Sequence, residues 1–165
     1  MKGILKQPCP GMNLTLFLDF DGVVHPQPCF RENVFCRLPL LEDVLREFSE
    51  VNIVISSSWR EHYGLAELRD FFSQDIAPRV IDVTPFYRDP AFDHLKNPPT
   101  DFERQWEIEA WCDENQRHAS NWIAIDDYAP WFEPDCPNLL VTSSKSGFTR
   151  DDQASLRAMI KARLP

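Results

Sequence analysis

Five short apolar runs, at 14–19, 51–55, 79–84, 122–125 and 138–142, share the chain with segments of helical periodicity at 38–49, 61–72, 101–115 and 151–163. The runs have the length of single strands, and LTLFLD and VNIVI are apolar almost throughout rather than at every second position. A strand of that kind must be covered on both faces, which is the environment of a parallel sheet with helices above and below it. The pattern predicts an α/β doubly wound domain with a mainly parallel sheet of about five strands. Sheets of this class bind ligands outside the carboxyl ends of their strands. The residues that end each run are therefore the informative ones.

The first run, LFLDFDGVVHP, ends in Asp19, with Asp21 two residues on and Gly22 after it. The second, IVISSSWR, ends in Ser56 and Ser57, and the fourth, WIAIDD, in Asp126 and Asp127. Arg104 stands one turn into the helical segment before the fourth run, and Lys96 precedes it in a loop. Residues i and i+2 of an extended segment face the same way, so Asp19 and Asp21 can share the crevice while Phe20 turns into the core. Four carboxylates at one sheet edge repel unless a cation or protons join them. A hard, oxygen-seeking ion such as Mg²⁺ suits that donor set, and it invites a phosphate.

One of Asp19 and Asp21 can attack phosphorus while the other moves the proton. For the phosphate oxygens, Ser57 is preferred to Ser56 as hydroxyl donor, because Ser58 pairs with Glu61 as a helix-starting capping box. Arg104 is preferred to Lys96 as the balancing cation, its planar fork matching phosphate. Thr100 with Glu103 and Thr149 with Asp152 are two further start signals of the capping-box kind.

With 165 residues, 43% of them hydrophobic, the chain is expected to form one domain over about 14–160, with 1–13 as an N-terminal extension. The net charge of −9 argues against strong independent nucleic-acid binding or adhesion to an anionic membrane. No apolar run approaches a membrane span, and MKGILKQPCPGMN lacks the apolar centre of a secretory signal, so a cytoplasmic protein is expected. The five cysteines are scattered without a CxxC pair, which gives neither a disulfide framework nor a thiolate zinc site.

Taken in order, LFLDFDGVVHP, IVISSSWR, a basic residue and WIAIDD resemble the four motifs of the haloacid dehalogenase (HAD) superfamily. More narrowly, SSSWR, RQWEIEAWCDEN and WIAIDDYAPWF are similar to the HAD domain of Swiss Army Knife RNA-repair proteins and its stand-alone bacterial relatives. The resemblance implies a Rossmann-like fold and Mg²⁺-dependent phosphomonoester hydrolysis through an aspartyl-phosphate. It makes Asp19 nucleophile and metal ligand, and Asp21 general acid/base with its carbonyl on the metal. Asp126 becomes a direct ligand and Asp127 a more distant one. Within the superfamily the second aspartate of the first motif accompanies phosphate chemistry rather than dehalogenation, so Asp21 favours a phosphatase. One departure is that Glu103 precedes Arg104 where the group often carries a Lys-Arg pair.

The intervals between motifs leave no room for a substantial cap domain, which implies an open site. A phosphorylated small molecule, a nucleotide or a nucleic-acid terminus would fit it. The stretch 85–99 carries Phe86, Tyr87, Phe92, Arg88 and Lys96, either as an ordinary packed loop or as a small stacking surface. The alternative to an enzyme is a HAD-like module that binds phosphate or a partner without turnover.

Overall fold

The computed structural model describes residues 14–86, 101–117 and 121–164. Five strands form one sheet: β1 (Thr15–Leu18), β2 (Asn52–Ile55), β3 (Val80–Val83), β4 (Trp122–Asp126) and β5 (Leu139–Val141). All pairings are parallel, in the spatial order β3-β2-β1-β4-β5. The helices are α1 (Leu38–Glu47), α2 (Leu65–Arg69), α3 (Glu103–Glu114) and α4 (Arg150–Lys161).

Successive side chains of β1 go to opposite faces, and both faces are filled. Leu16 and Leu18 join Leu41, Val44 and Leu45 of α1, Leu68 of α2, and Leu156 and Ile160 of α4 in one buried cluster. Phe17 faces the other way, with Val54 and Ala124, against Ile108, Trp111 and Cys112 of α3. Trp111 meets Phe17 edge-on at 5.4 Å between ring centroids and donates through Nε1 to Asp82 Oδ2 of β3 at 2.7 Å. The continuous apolar runs are thus strands covered on both sides.

Several local expectations need correction. Ser58 does not cap the helix after β2: Ser57 is the N-cap, its hydroxyl accepting from Trp59 N at 3.4 Å, and the element it opens is a four-residue 3₁₀ turn, Ser58–Glu61. The helix expected over 61–72 is shorter, because Gly64 breaks it. Its first residue is Leu65, and the Gly64 amide donates to Glu67 Oε2 at 2.8 Å. The helix α3 begins after Phe102, which sits at the N-cap with φ 61°, while Thr100 lies outside the described residues. The Thr149 box is present: Asp152 Oδ2 accepts from Thr149 N at 2.7 Å, and Thr149 Oγ1 accepts from Asp152 N at 3.4 Å. Between β1 and β2 the chain carries a 3₁₀ turn and α1, with no inserted domain. Of the stretch 85–99, only Pro85 and Phe86 are among the described residues.

Candidate active site

The strand order reverses at β1. The chain steps outward through β2 and β3 on one side, then crosses to β4 and β5 on the other. The carboxyl ends of β1 and β4 therefore flank the switch point where such sheets hold ligands. Leu18 is in register with Ile125, and Asp19 N donates to Ile125 O at 3.1 Å. The next residues along the two strands, Asp19 and Asp126, thus come side by side at roughly the interstrand spacing of ~4.8 Å. Both are buried.

Oxygens of Asp19, Asp126 and Asp127 lie within 4.8 Å of one another. Burial and the like charge of Asp19 push Asp126 up to about 7, against the pull of Arg104 and the Tyr128 amide. Burial likewise raises Asp19 to about 6, although Arg104, a hydrogen bond from the Ser57 hydroxyl and the Phe20 amide favour its ionised form. Burial also raises Asp127. Asp126 Oδ1 accepts from Tyr128 N at 2.9 Å, whereas Oδ2 is a buried carboxylate oxygen with no hydrogen-bond partner among the described residues. A trio of hard oxygen donors, one of them buried without a hydrogen bond, fits a divalent cation of the Mg²⁺ type. Asp127 owes its place to Gly22, which has φ +71°. A Cβ on that residue would stand 2.1 Å from Asp127 Oδ2.

Arg104 reaches this trio from α3. A helix preceding a parallel strand runs against it, so the first turn of α3 arrives at the carboxyl edge of the sheet. Arg104 shares one helix face with Ile108, Trp111 and Cys112, all buried on the sheet. Its Nε lies 3.7 Å from Asp126 Oδ2 and 4.0 Å from Glu107 Oε2. Its guanidinium carbon sits over the Trp131 ring at 5.0 Å, and Nη1 is buried without a hydrogen-bond partner among the described residues. Lys96 lies outside the described residues.

The two serines differ in what holds them. Ser57 directs its hydroxyl to Asp19, while Ser56 is held through its backbone, its amide donating to Leu18 O at 3.0 Å and its carbonyl accepting from Arg60 Nη1 at 3.1 Å. The element after Ser57 is a single 3₁₀ turn whose amides at Trp59 and Arg60 are taken by the Ser57 hydroxyl and carbonyl, so it offers no helix-dipole seat for an anion.

Phe20 is fully buried between the two aspartates, as the i, i+2 spacing requires. The Asp21 carboxylate is engaged apart from the trio, by His25 and Trp59, and the His25 hydrogen bond holds it below the usual carboxylate range. Neither partner was visible in the sequence as functional, although His25 stands four residues after Asp21. Arg60 was also missed. It spans the carboxyl ends of β2 and β3, donating to the carbonyls of Ser57 at 2.7 Å and Thr84 at 3.1 Å, and pairs with Glu107 Oε2 at 2.7 Å. A cleft of about 190 Å³ adjoins the trio through Arg104 and is lined also by Arg60, Phe86, Glu107 and Trp131.

A five-stranded parallel sheet in this order, with acids ending β1 and β4 and an arginine between α3 and the trio, defines a HAD-like domain. Its first and fourth acidic stations are in register. The chain belongs to the family of HAD domains found in Swiss Army Knife RNA repair proteins, whose family model matches residues 15–153. No curated protein and no solved structure matched it. HAD domains are typically phosphohydrolases that use Mg²⁺. Among the described residues, no helix is long and apolar enough to cross a membrane.

Proposed function

We propose that this chain is a Mg²⁺-dependent phosphomonoesterase in which Asp19 is the nucleophile and Asp21 the general acid and base. The observation that carries this reading is the buried trio of Asp19, Asp126 and Asp127 beside Arg104. The Asp19 carboxylate attacks phosphorus, forming an aspartyl-phosphate as the ester P–O bond breaks, and the Asp21 carboxyl gives its proton to the departing oxygen. Asp21 then takes a proton from water as that water's oxygen bonds to phosphorus and the bond to Asp19 breaks. The alcohol and inorganic phosphate leave, with both aspartates restored.

Ser57 turns its hydroxyl from Asp19 to a phosphoryl oxygen when the ester binds, and Arg104 balances the charge through Nη1, which has no hydrogen-bond partner among the described residues. The carboxylates of Asp19, Asp126 and Asp127, with the Asp21 carbonyl, would hold Mg²⁺. When bound, the ion neutralises charge that keeps the carboxylates apart and withdraws charge from the phosphate. The substrate is a phosphorylated small molecule, a nucleotide or a nucleic-acid end. The family supports the last of these, and the charge of −9 fits an RNA delivered by a partner rather than gripped by this chain alone. The expected result is Mg²⁺-dependent phosphate release from an aryl phosphate, abolished in Asp19→Asn, with the substrate class read from a panel of phosphometabolites and 3′- or 5′-phosphorylated oligonucleotides. Equal release by parent and variant, or none on any substrate, would leave a phosphate-binding module instead.

A further inference from the structure

The Asp21 carboxylate accepts one side-chain hydrogen bond on each oxygen. His25 Nε2 meets Oδ1 at 3.0 Å, and Trp59 Nε1 donates to Oδ2 at 3.1 Å. The donors come from different parts of the chain, His25 from the turn after β1 and Trp59 from the 3₁₀ turn after β2. The other imidazole nitrogen, Nδ1, accepts from the backbone amide of Phe35 in a long contact of 3.5 Å. An amide can only donate, so Nδ1 keeps its lone pair and the proton belongs on Nε2, facing Asp21.

Both donors are held by packing. His25 is 2% exposed, with its ring 5.6 Å from Phe35 and 5.8 Å from Trp59. Trp59 packs against Phe20 at 5.6 Å, Phe35 at 5.3 Å and Phe71 at 5.7 Å. Phe20, the residue between the two aspartates, thus helps to place the groups that grip the second of them. Asp21 still has 29% of its side chain exposed. An ionised carboxylate has about four lone-pair positions and two are used, so the others remain for a substrate oxygen or a water.

We propose that His25 and Trp59 are positioning residues for Asp21, their paired N–H groups holding its carboxyl group in the one orientation that serves the leaving oxygen and then the attacking water. This rests on the reading of Asp21 as general acid and base. A side chain beside a glycine with φ +71° would otherwise have rotamers to choose among, and misplacement by about 1 Å can cost ~10²-fold in rate.

The test uses leaving groups. The value of kcat/KM reports steps up to aspartyl-phosphate formation, where p-nitrophenolate departs with little need of a proton and phenolate or an alkoxide needs one. The ratio of kcat/KM on phenyl phosphate to that on p-nitrophenyl phosphate is measured for the parent, His25→Ala, His25→Gln, Trp59→Phe and Asp21→Asn. The ratio is expected to fall about tenfold or more in His25→Ala and in Trp59→Phe, within the range of general acid catalysis. His25→Gln, whose amide can donate in place of Nε2, recovers most of it. Trp59→Phe keeps an aromatic ring in the cluster and guards against an effect of misfolding, checked by the thermal melt. Ratios within about threefold of the parent in both deletions of a donor, with Asp21→Asn strongly lowered, overturn the inference alone. An unaltered ratio in Asp21→Asn overturns the reading of Asp21 itself.

Discussion

Replacing Asp126 by asparagine should make the metal-free protein more stable. Asp126 titrates near 7 in the fold against 3.8 ordinarily, and that value already includes the attraction of Arg104. At ~1.4 kcal/mol for each pH unit, keeping it ionised at pH 8 costs the folded chain about 4 kcal/mol. Asparagine keeps the oxygen that accepts from Tyr128 N, but turns an NH₂ toward the Arg104 guanidinium in place of Oδ2. That donor-to-donor encounter returns about 1–2 kcal/mol. A net gain of about 2–3 kcal/mol remains, or ~5–10 °C in Tm for a chain of this size.

The pH dependence has a definite sign. Between pH 3.8 and about 7 the folded parent holds more protons than the unfolded chain, so its stability falls as pH rises through that window. The advantage of Asp126→Asn is therefore full at pH 8, vanishes near about pH 5, and gives way near pH 4 to the deficit of about 1–2 kcal/mol from the donor-to-donor encounter. Calorimetry or urea unfolding in chelator at several pH values measures both. Mg²⁺ reverses the order once it stands about a thousandfold above its Kd, where it adds about 4.1 kcal/mol to the parent and little to the variant. A variant less stable than the parent at pH 8 in chelator refutes the reasoning, because the carboxylate would then be at ease where it stands.

Gly22→Ala should cost about 1–2 kcal/mol through its left-handed backbone and much more in Mg²⁺ affinity, since a Cβ 2.1 Å from Asp127 Oδ2 must displace that carboxylate. Isothermal titration separates the two losses, and an unchanged affinity would contradict the placement of Asp127. Arg60→Ala should destabilise by about 3–5 kcal/mol in urea unfolding, as it removes the 2.7 Å partner of the buried Glu107 carboxylate and the donor to the carbonyls of Ser57 and Thr84; a loss below about 1 kcal/mol would deny the pair that role.

What was legible in the sequence was what local pattern controls. LTLFLD and WIAID read as strands because burial on both faces removes any alternation, and parallel register carries Asp19 to Asp126 without further instruction. Thr149 and Asp152 were legible because a capping box lies within four residues. Three consecutive serines offered no such local distinction: Ser57 rather than Ser58 is the cap, since Gly64 interrupts the helix that Glu61 was expected to begin. The hold on Asp21 was invisible for a different reason. Trp59 lies 38 residues away in sequence and meets Asp21 only through the pairing of β1 with β2. Arg60 and Glu107, 47 residues apart, are joined by the same sort of tertiary accident of distance.

Arg60 does more than fill a buried ion pair. One planar group fastens the carbonyls of Ser56 and Ser57 after β2, those of Thr84 and Pro85 after β3, and Glu107 on α3, and it carries the Phe86 ring at 4.2 Å. The chain leaves the sheet edge at that clasp. Through it the ends of β2 and β3 and Glu107 of α3 are tied into one piece beside the acids that end β1 and β4, so that a pull on the backbone at Thr84 or Pro85 is shared among three elements.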